Sequence, residues 1–348
     1  MRIVPQCVVA ASLVLAVSGP TWAKKIDMRL GDGGMSPESV GVVLPDYLAK
    51  RAEVLSGGTL KIETFHHAVL GDETQMVQQI QQGSLQGVFI GNNNLTSRVP
   101  EFLIFSLPYM FDSFKEGYRL QDHGWEALNN WTVKRAGVRV LAQECMGFRA
   151  FFNTKHPINT PADMRSLKWR VPPDRVLIGN YKAWGVNPSS IPWNETFNSL
   201  AQGVVNGGGN PYDDIVTAKL YEVAHYITPV HYNLLCHTEL FSEPFYEKLS
   251  KKDQEILTKA GIEATKYIRK WTVDHQQKQL NFLKSHKDIK FNTPPNESLF
   301  KKPTVNNWPN FYKQIGNGDE ARGKELVTEA AAIAKGTRAK FSKDLFLK

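Results

Sequence analysis

From Lys251 to His286 the chain runs for more than thirty residues without a proline, and Ile256, Leu257, Ala260, Ile262, Ala264, Ile268, Trp271 and Leu280 recur in it at helical spacing. At about 1.5 Å per residue this run predicts a single helix of some 50 Å. A rod of that length calls for a large body, and we expect it to lie along the backs of two domains. The polar stretch Lys284 to Asp288 and then Pro294-Pro295 end the pattern.

The other end of the chain carries an export signal. Arg2 is followed by an apolar run from Cys7 to Val17, then by Ser18-Gly19-Pro20 and Thr21-Trp22-Ala23, a pattern that predicts a secretory signal peptide cleaved near Ala23. Eleven apolar residues fall short of the roughly 20 that span a bilayer. The expected mature chain is soluble and periplasmic, and its 325 residues exceed what one core usually supports. Discounting Arg2 takes the formal charge from +8 to +7. The charges are scattered, so no nucleic-acid partner is expected. Cys145 and Cys236 remain after cleavage, 91 positions apart. Spacing alone favours two buried free thiols and leaves a disulfide open. No CxxC, Cys/His tetrad or HExxH occurs, so no metal is expected, and His66 and His67, read as neighbours on a strand, point to opposite faces.

Between these ends the pattern is α/β. Strand Ile26 to Leu30, helix Pro37 to Leu55 with Ser36 as N-cap, strand Leu60 to Phe65, a Gln-rich helix Thr74 to Gln82 capped by Asp72, and strand Gly87 to Ile90 make a βαβαβ opening. Alternation of this kind predicts a parallel sheet with ligands outside the carboxyl ends of its strands. A second α/β pattern starts near Gly147, with apolar Phe148 to Phe152, strand Leu167 to Val171, and helices Asp174 to Trp184 and Trp193 to Gln202; a helix from Gly323 to Lys340 closes the chain. The expected division is 24–148 for one domain, 149–230 for most of the other, 231–286 for a returning strand and the shared helix, and 287–348 for a C-terminal strand and helix region.

Several strings then occur in order. They are Leu70-Gly71-Asp72-Glu73 with Met76 and Gly83-Ser84-Leu85, Pro100-Glu101 with Ser106-Leu107-Pro108-Tyr109-Met110-Phe111, Gly147-Phe148-Arg149, and Leu167-Lys168-Trp169-Arg170-Val171-Pro172. Trp184-Gly185-Val186-Asn187-Pro188, Pro192-Trp193-Asn194-Glu195 and Leu200 to Gly207 follow, then Asn210-Pro211. Taken together they resemble the solute receptors of tripartite ATP-independent periplasmic (TRAP) transporters, the DctP-like family, over nearly the whole mature chain. The resemblance implies two α/β domains of periplasmic-binding-protein type, joined by hinge strands and crossed by a long helix, closing as a monomer on a small organic anion for membrane permease subunits. It places the ligand carboxylate on Arg170, with Arg149 as a second cationic contact, Asn210 as a polar one and Trp193 as an aromatic wall. No cofactor is implied.

The last motif departs from the family. Receptors of this kind usually read Val-Asp-Gly-Gln-Glu-Asn-Pro, whereas this chain has Val205-Asn206-Gly207-Gly208-Gly209-Asn210-Pro211. Three glycines let the backbone approach a ligand, or relax a turn. Asn92-Asn93-Asn94, at the end of a strand, offers neutral donors and acceptors, and Asn92 and Asn94 join the candidate contacts. Glu73 reads as a helix N-terminal acid favoured by the macrodipole and is carried as a candidate contact as well. Independently of the family, an arginine in the short apolar strand around Arg170 needs a partner, and its planar fork suits a carboxylate or sulfonate. Dicarboxylates, sugar acids, hydroxy or oxo acids and sulfonates all satisfy it. The alternative is an exported hydrolase of a small organic acid, but no GxSxG, P-loop or complete GxGxxG is present to support an enzyme.

Overall fold

A computed structural model describes residues 25–347 of the chain. The expected signal segment, 1–23, lies outside the described residues. The first half runs β1 (Ile26–Asp32), α1 (Val40–Ser56), β2 (Leu60–Phe65), α2 (Glu73–Gln81), β3 (Gly87–Gly91), α3 (Phe114–His123), α4 (Trp125–Ala136) and β4 (Val138–Phe148). The chain continues through β5 (Ala150–Asn153), α5 (Pro161–Met164), β6 (Arg170–Val171), α6 (Arg175–Ala183), β7 (Ser189–Ser190), α7 (Thr196–Ala201), β8 (Gly207–Asn210), α8 (Tyr212–Thr217) and β9 (Tyr226–Thr228). It returns through β10 (Leu234–Ser242) and α9 (Glu243–Glu247) into α10 (Lys251–Ser285), and ends with β11 (Lys290–Phe291), α11 (Ser298–Val305), α12 (Pro309–Ile315), α13 (Glu320–Lys335) and α14 (Lys343–Leu347).

Two sheets organise these elements. The first has the order β2-β1-β3-β10-β4, with β1 parallel to β2 and β3, and β10 antiparallel to both its neighbours. The second has the order β11-β9-β5-β8, and β6 pairs with β7 beside it. The chain crosses from one sheet to the other three times, twice directly and once along α10 into β11. Only Arg149 separates β4 from β5, and the return passes through Tyr232 and Asn233 into β10. The two direct crossings are joined where Arg149 N–H donates to the Asn233 carbonyl at 2.8 Å. They are the hinge strands of a two-domain periplasmic-binding-protein fold.

The long helix is present as one element of 35 residues, capped by the Ser250 side chain, which accepts from Asp253 N. At the usual rise it is about 52 Å long. Leu257, Ala260, Ala264 and Ile268 bury against the first sheet with α1, while Leu283, near its far end, belongs to the core of the second sheet. Gly261 permits the closest approach: a Cβ there would lie 2.0 Å from the Leu141 carbonyl oxygen of β4.

Several expectations shift. Ser36 to Ser39 form a turn, closed by Ser39 N donating to Ser36 O at 2.9 Å, so α1 begins at Val40 with Ser39, not Ser36, as its N-cap. The strand expected over Leu167 to Val171 shortens to two residues, because Lys168 and Trp169 turn instead to bridge β8. The terminal helix ends at Lys335, where Gly336 adopts φ 81°. His66 and His67 lie beyond β2, not on it; His66 sits 2.7 Å from Asp32 Oδ2 and 3.3 Å from Asp46 Oδ1, while His67 turns away with φ 60°. The free-thiol reading of the cysteines is overturned, since Cys145 and Cys236 face each other across β4 and β10 and are joined by a disulfide. Register, not separation in sequence, brings them together.

Candidate functional site

A cleft with about 560 Å³ of empty space opens between the two sheets. The first half contributes the carboxyl ends of β1 and β3, with Gly33, Gly34, Asn93 and Asn94, and the N-terminus of α2 with Glu73. The hinge strands contribute Met146, Arg149, Leu235 and His237, and the second half contributes Arg170, Trp193, Asn210 and Asp214. The floor therefore lies where a parallel sheet leaves its strand ends open.

Arg170 is 2% exposed. Its Nε donates to the Ile191 carbonyl at 2.9 Å, and its two terminal nitrogens have no acceptor among the described residues. The guanidinium lies 5.8 Å from the centre of the Trp193 ring. Burial, and then the charge of Arg149, lower its pKa to about 10, so it stays cationic at neutral pH. Arg149 is held from three sides: Nε donates to Asn233 Oδ1 at 3.1 Å, Nη1 to the Gly209 carbonyl at 2.7 Å and Nη2 to Asn93 Oδ1 at 3.3 Å. One N–H on each terminal nitrogen remains for another acceptor.

Two acids face the same cleft, Glu73 from the first half and Asp214 from the second. Glu73 accepts from Gly91 N at 3.0 Å and from the Asn94 amide, and burial raises its pKa against the opposing effect of the Gly91 N–H. Asn210 Nδ2 donates to Asp214 Oδ2 at 2.6 Å, leaving Asn210 Oδ1 buried without a donor among the described residues. Asp214 is raised to about 6, by burial first and then by the charge of Asp213. His237 Nδ1 lies 2.8 Å from Glu144 Oε1; its ring stacks on Phe89 at 5.1 Å, and burial lowers its pKa. Trp193 Nε1 reaches across the cleft to the Gly33 carbonyl at 3.1 Å.

Of the sequence candidates, Arg170, Arg149, Asn210, Trp193, Glu73 and Asn94 line this one cleft, and Asn92 does not. Asn92 turns into the interior, where its Oδ1 accepts from Thr238 Oγ1 at 2.6 Å. Asn93 takes its place. Gly207 to Gly209 neither approach the cleft nor form a turn. They are the strand β8, and the space a side chain would need is already filled: a Cβ on Gly207 would meet the Phe152 carbonyl oxygen at 2.5 Å, one on Gly208 the Phe152 ring at 2.7 Å, and one on Gly209 Tyr232 Oη at 2.3 Å and Tyr181 Oη at 2.9 Å. Asn93, Asp214 and His237 escaped the sequence reading. His237 carried a signal, since His237-Thr238-Glu239 is a polar run inside an otherwise apolar strand. So did Asp214, which stands four positions after Asn210 at the start of a helix.

Residues 37–315 match the family described as bacterial extracellular solute-binding protein, family 7. A solute-binding protein of Verminephrobacter eiseniae is 30% identical over 251 residues, which cover 72% of this chain and 74% of the relative. Among solved structures, the sugar acid binding protein of Advenella mimigardefordensis in complex with galactonate superposes with a TM-score of 0.84 at 26% identity, over 90% of this chain and 99% of that one. A TRAP periplasmic solute-binding protein of Sulfurospirillum deleyianum with bound succinate gives 0.81 at 27% identity, over 89% and 99%. The chain belongs to this family and is a TRAP periplasmic solute-binding protein. The family consists of transport receptors, not enzymes, which removes the hydrolase alternative. Among the described residues no helix is long and apolar enough to cross a membrane.

Proposed function

We propose that this receptor seats the carboxylate of a small organic acid on the open face of the Arg170 guanidinium and presents the closed complex to its permease. The observation that carries the reading is a buried arginine whose two terminal nitrogens have no acceptor among the described residues, lining the cleft between the sheets. A buried guanidinium in that state calls for acceptors, and charge-assisted hydrogen bonds of this kind contribute about 1.5–3 kcal/mol each. Arg149 adds the second cationic contact from the hinge, Trp193 packs on the carbon chain, and Asn210, Asn94 and Glu73 meet the polar groups beyond it. Galactonate and succinate, the ligands of two structural relatives, are both carboxylates, in keeping with this arrangement.

Closure brings residues 24–148 onto residues 149–230 about the hinge at Arg149, with 231–286 shared between them. We take the receptor to act as a monomer, with both walls of the cleft supplied by the two halves of the chain. The signal segment directs export and is removed by cleavage near Ala23. The test is a thermal-shift screen of the mature protein against organic acids, repeated on two variants. Arg170→Ala is expected to abolish stabilisation by every hit, and Arg170→Lys to weaken it by about 10-fold or more, because an ammonium lacks the planar fork. Unchanged affinity in both variants overturns the assignment.

A further inference from the structure

We infer that Glu73 and Asp214 form an acidic wall that limits the ligand to one carboxylate, so that the receptor selects a hydroxylated monocarboxylate over a diacid of the same length. This rests on the reading that Arg170 takes the first carboxylate. The two acids come from opposite halves of the protein, α2 and α8, and line one cleft. They are close enough for the Asp214 charge to act on Glu73.

The free hydrogen-bonding capacity around them is mostly of one kind. The Asn94 amide gives one of its two N–H groups to Glu73, which leaves its carbonyl oxygen and one N–H. Asn210 likewise gives one N–H to Asp214, and its oxygen is buried with no donor among the described residues. A carboxylate oxygen accepts about two hydrogen bonds, and each acid oxygen on this wall has at most one protein donor among the described residues. The acidic wall therefore favours donors from the ligand. Hydroxyl groups supply them without charge. A second carboxylate beside these acids would bring only acceptors and a like charge, the repulsive element that specificity commonly requires.

The test is calorimetric titration of the mature protein with galactonate, gluconate and glucuronate as hydroxylated monocarboxylates, and with galactarate and succinate as diacids. Wild type should bind at least one monocarboxylate about 100-fold more tightly than galactarate. Asp214→Asn and Glu73→Gln, both near-isosteric, should each narrow that ratio about 10-fold or more. Binding of either diacid as tight as the best monocarboxylate, failure of all three monocarboxylates, or tighter binding of the zwitterion ectoine would overturn the proposal. A ratio that neither variant moves would do so too. Arg170→Ala separates the two readings: retention of galactonate binding in that variant defeats the carboxylate seat, whatever the ratio shows.

Discussion

Burial raises the pKa of Asp32, Glu73, Glu144, Asp174, Asp214 and Glu239, and Asp214 is the one among the cleft residues that reaches about 6. Asp213 beside it adds to the shift, while Asn210, His237 and Arg149 oppose it. In the unfolded chain the same carboxyl titrates near pH 3.9. Between about pH 4 and 6 the folded protein therefore holds a proton that the unfolded chain has released. The stability this confers is complete below about pH 4 and is lost as the pH rises through about 6. Its full size is on the order of 3 kcal/mol. In Asp214→Asn the fall in melting temperature from pH 4 to pH 7 should be shallower than in wild type, and superimposable curves would contradict the assignment. Single residues also show where the sequence stopped being informative. Arg170 and Arg149 were legible because each sits in a motif with a fixed role. The asparagine triplet was not, because Asn92 to Asn94 form one turn of 3-10 helix. Three residues per turn send three successive side chains in three directions: Asn92 to Thr238, Asn93 to Arg149 and Asn94 to Glu73. A strand-end reading cannot tell them apart.

At the scale of elements, length and punctuation were readable and tertiary pairing was not. The absence of proline and the apolar spacing marked α10 almost to its last residue, and Asp72 marked α2 through a capping box with Gln75. The strand around Arg170 was overestimated because an apolar run does not reveal that Trp169 will leave the ladder, bridge Gly207 and donate its indole N–H to Met164 O at 2.8 Å. The disulfide was invisible for the same reason, since it depends on β4 pairing with β10. Gly261 carries a test of tertiary override. In an exposed helix interior, Gly→Ala stabilises by up to about 1 kcal/mol. Here the added Cβ would meet the Leu141 carbonyl oxygen at 2.0 Å and its carbon at 2.8 Å, both backbone atoms that cannot swing aside. Gly261→Ala is therefore expected to destabilise by about 1–3 kcal/mol as α10 is pushed off β4. Chemical denaturation would show it, and a gain in stability would mean that the helix is less closely seated than described.

The whole molecule is two sheets tied by the Arg149–Asn233 hinge and by α10, which reaches both cores, and touching again across the cleft. The hydrogen bonds across the cleft include Trp193 Nε1 to Gly33 O at 3.1 Å, Val40 N to Asp213 Oδ2 at 3.5 Å and Arg149 Nη2 to Asn93 Oδ1 at 3.3 Å, and elsewhere between the halves Ser106 Oγ donates to Asp174 Oδ2 at 2.7 Å. Net hydrogen-bond contributions run near 1 kcal/mol each, so each contact across the cleft adds only a modest hold on the closed form. A ligand touching both walls then shifts the population toward the closed form by its differential affinity for that form. Small-angle scattering should report a smaller radius of gyration when a saturating organic acid is added, and no change in Arg170→Ala at the same concentration. Trp193→Phe isolates the protein's own share of closure, since it keeps a ring beside Arg170 but removes the hydrogen bond to Gly33. The loss of about 1 kcal/mol corresponds to an affinity about 5-fold weaker, with the liganded radius of gyration at saturation unchanged. An affinity equal to wild type would show that the Trp193 hydrogen bond to Gly33 contributes nothing to closure, and that the ligand alone draws the two sheets together.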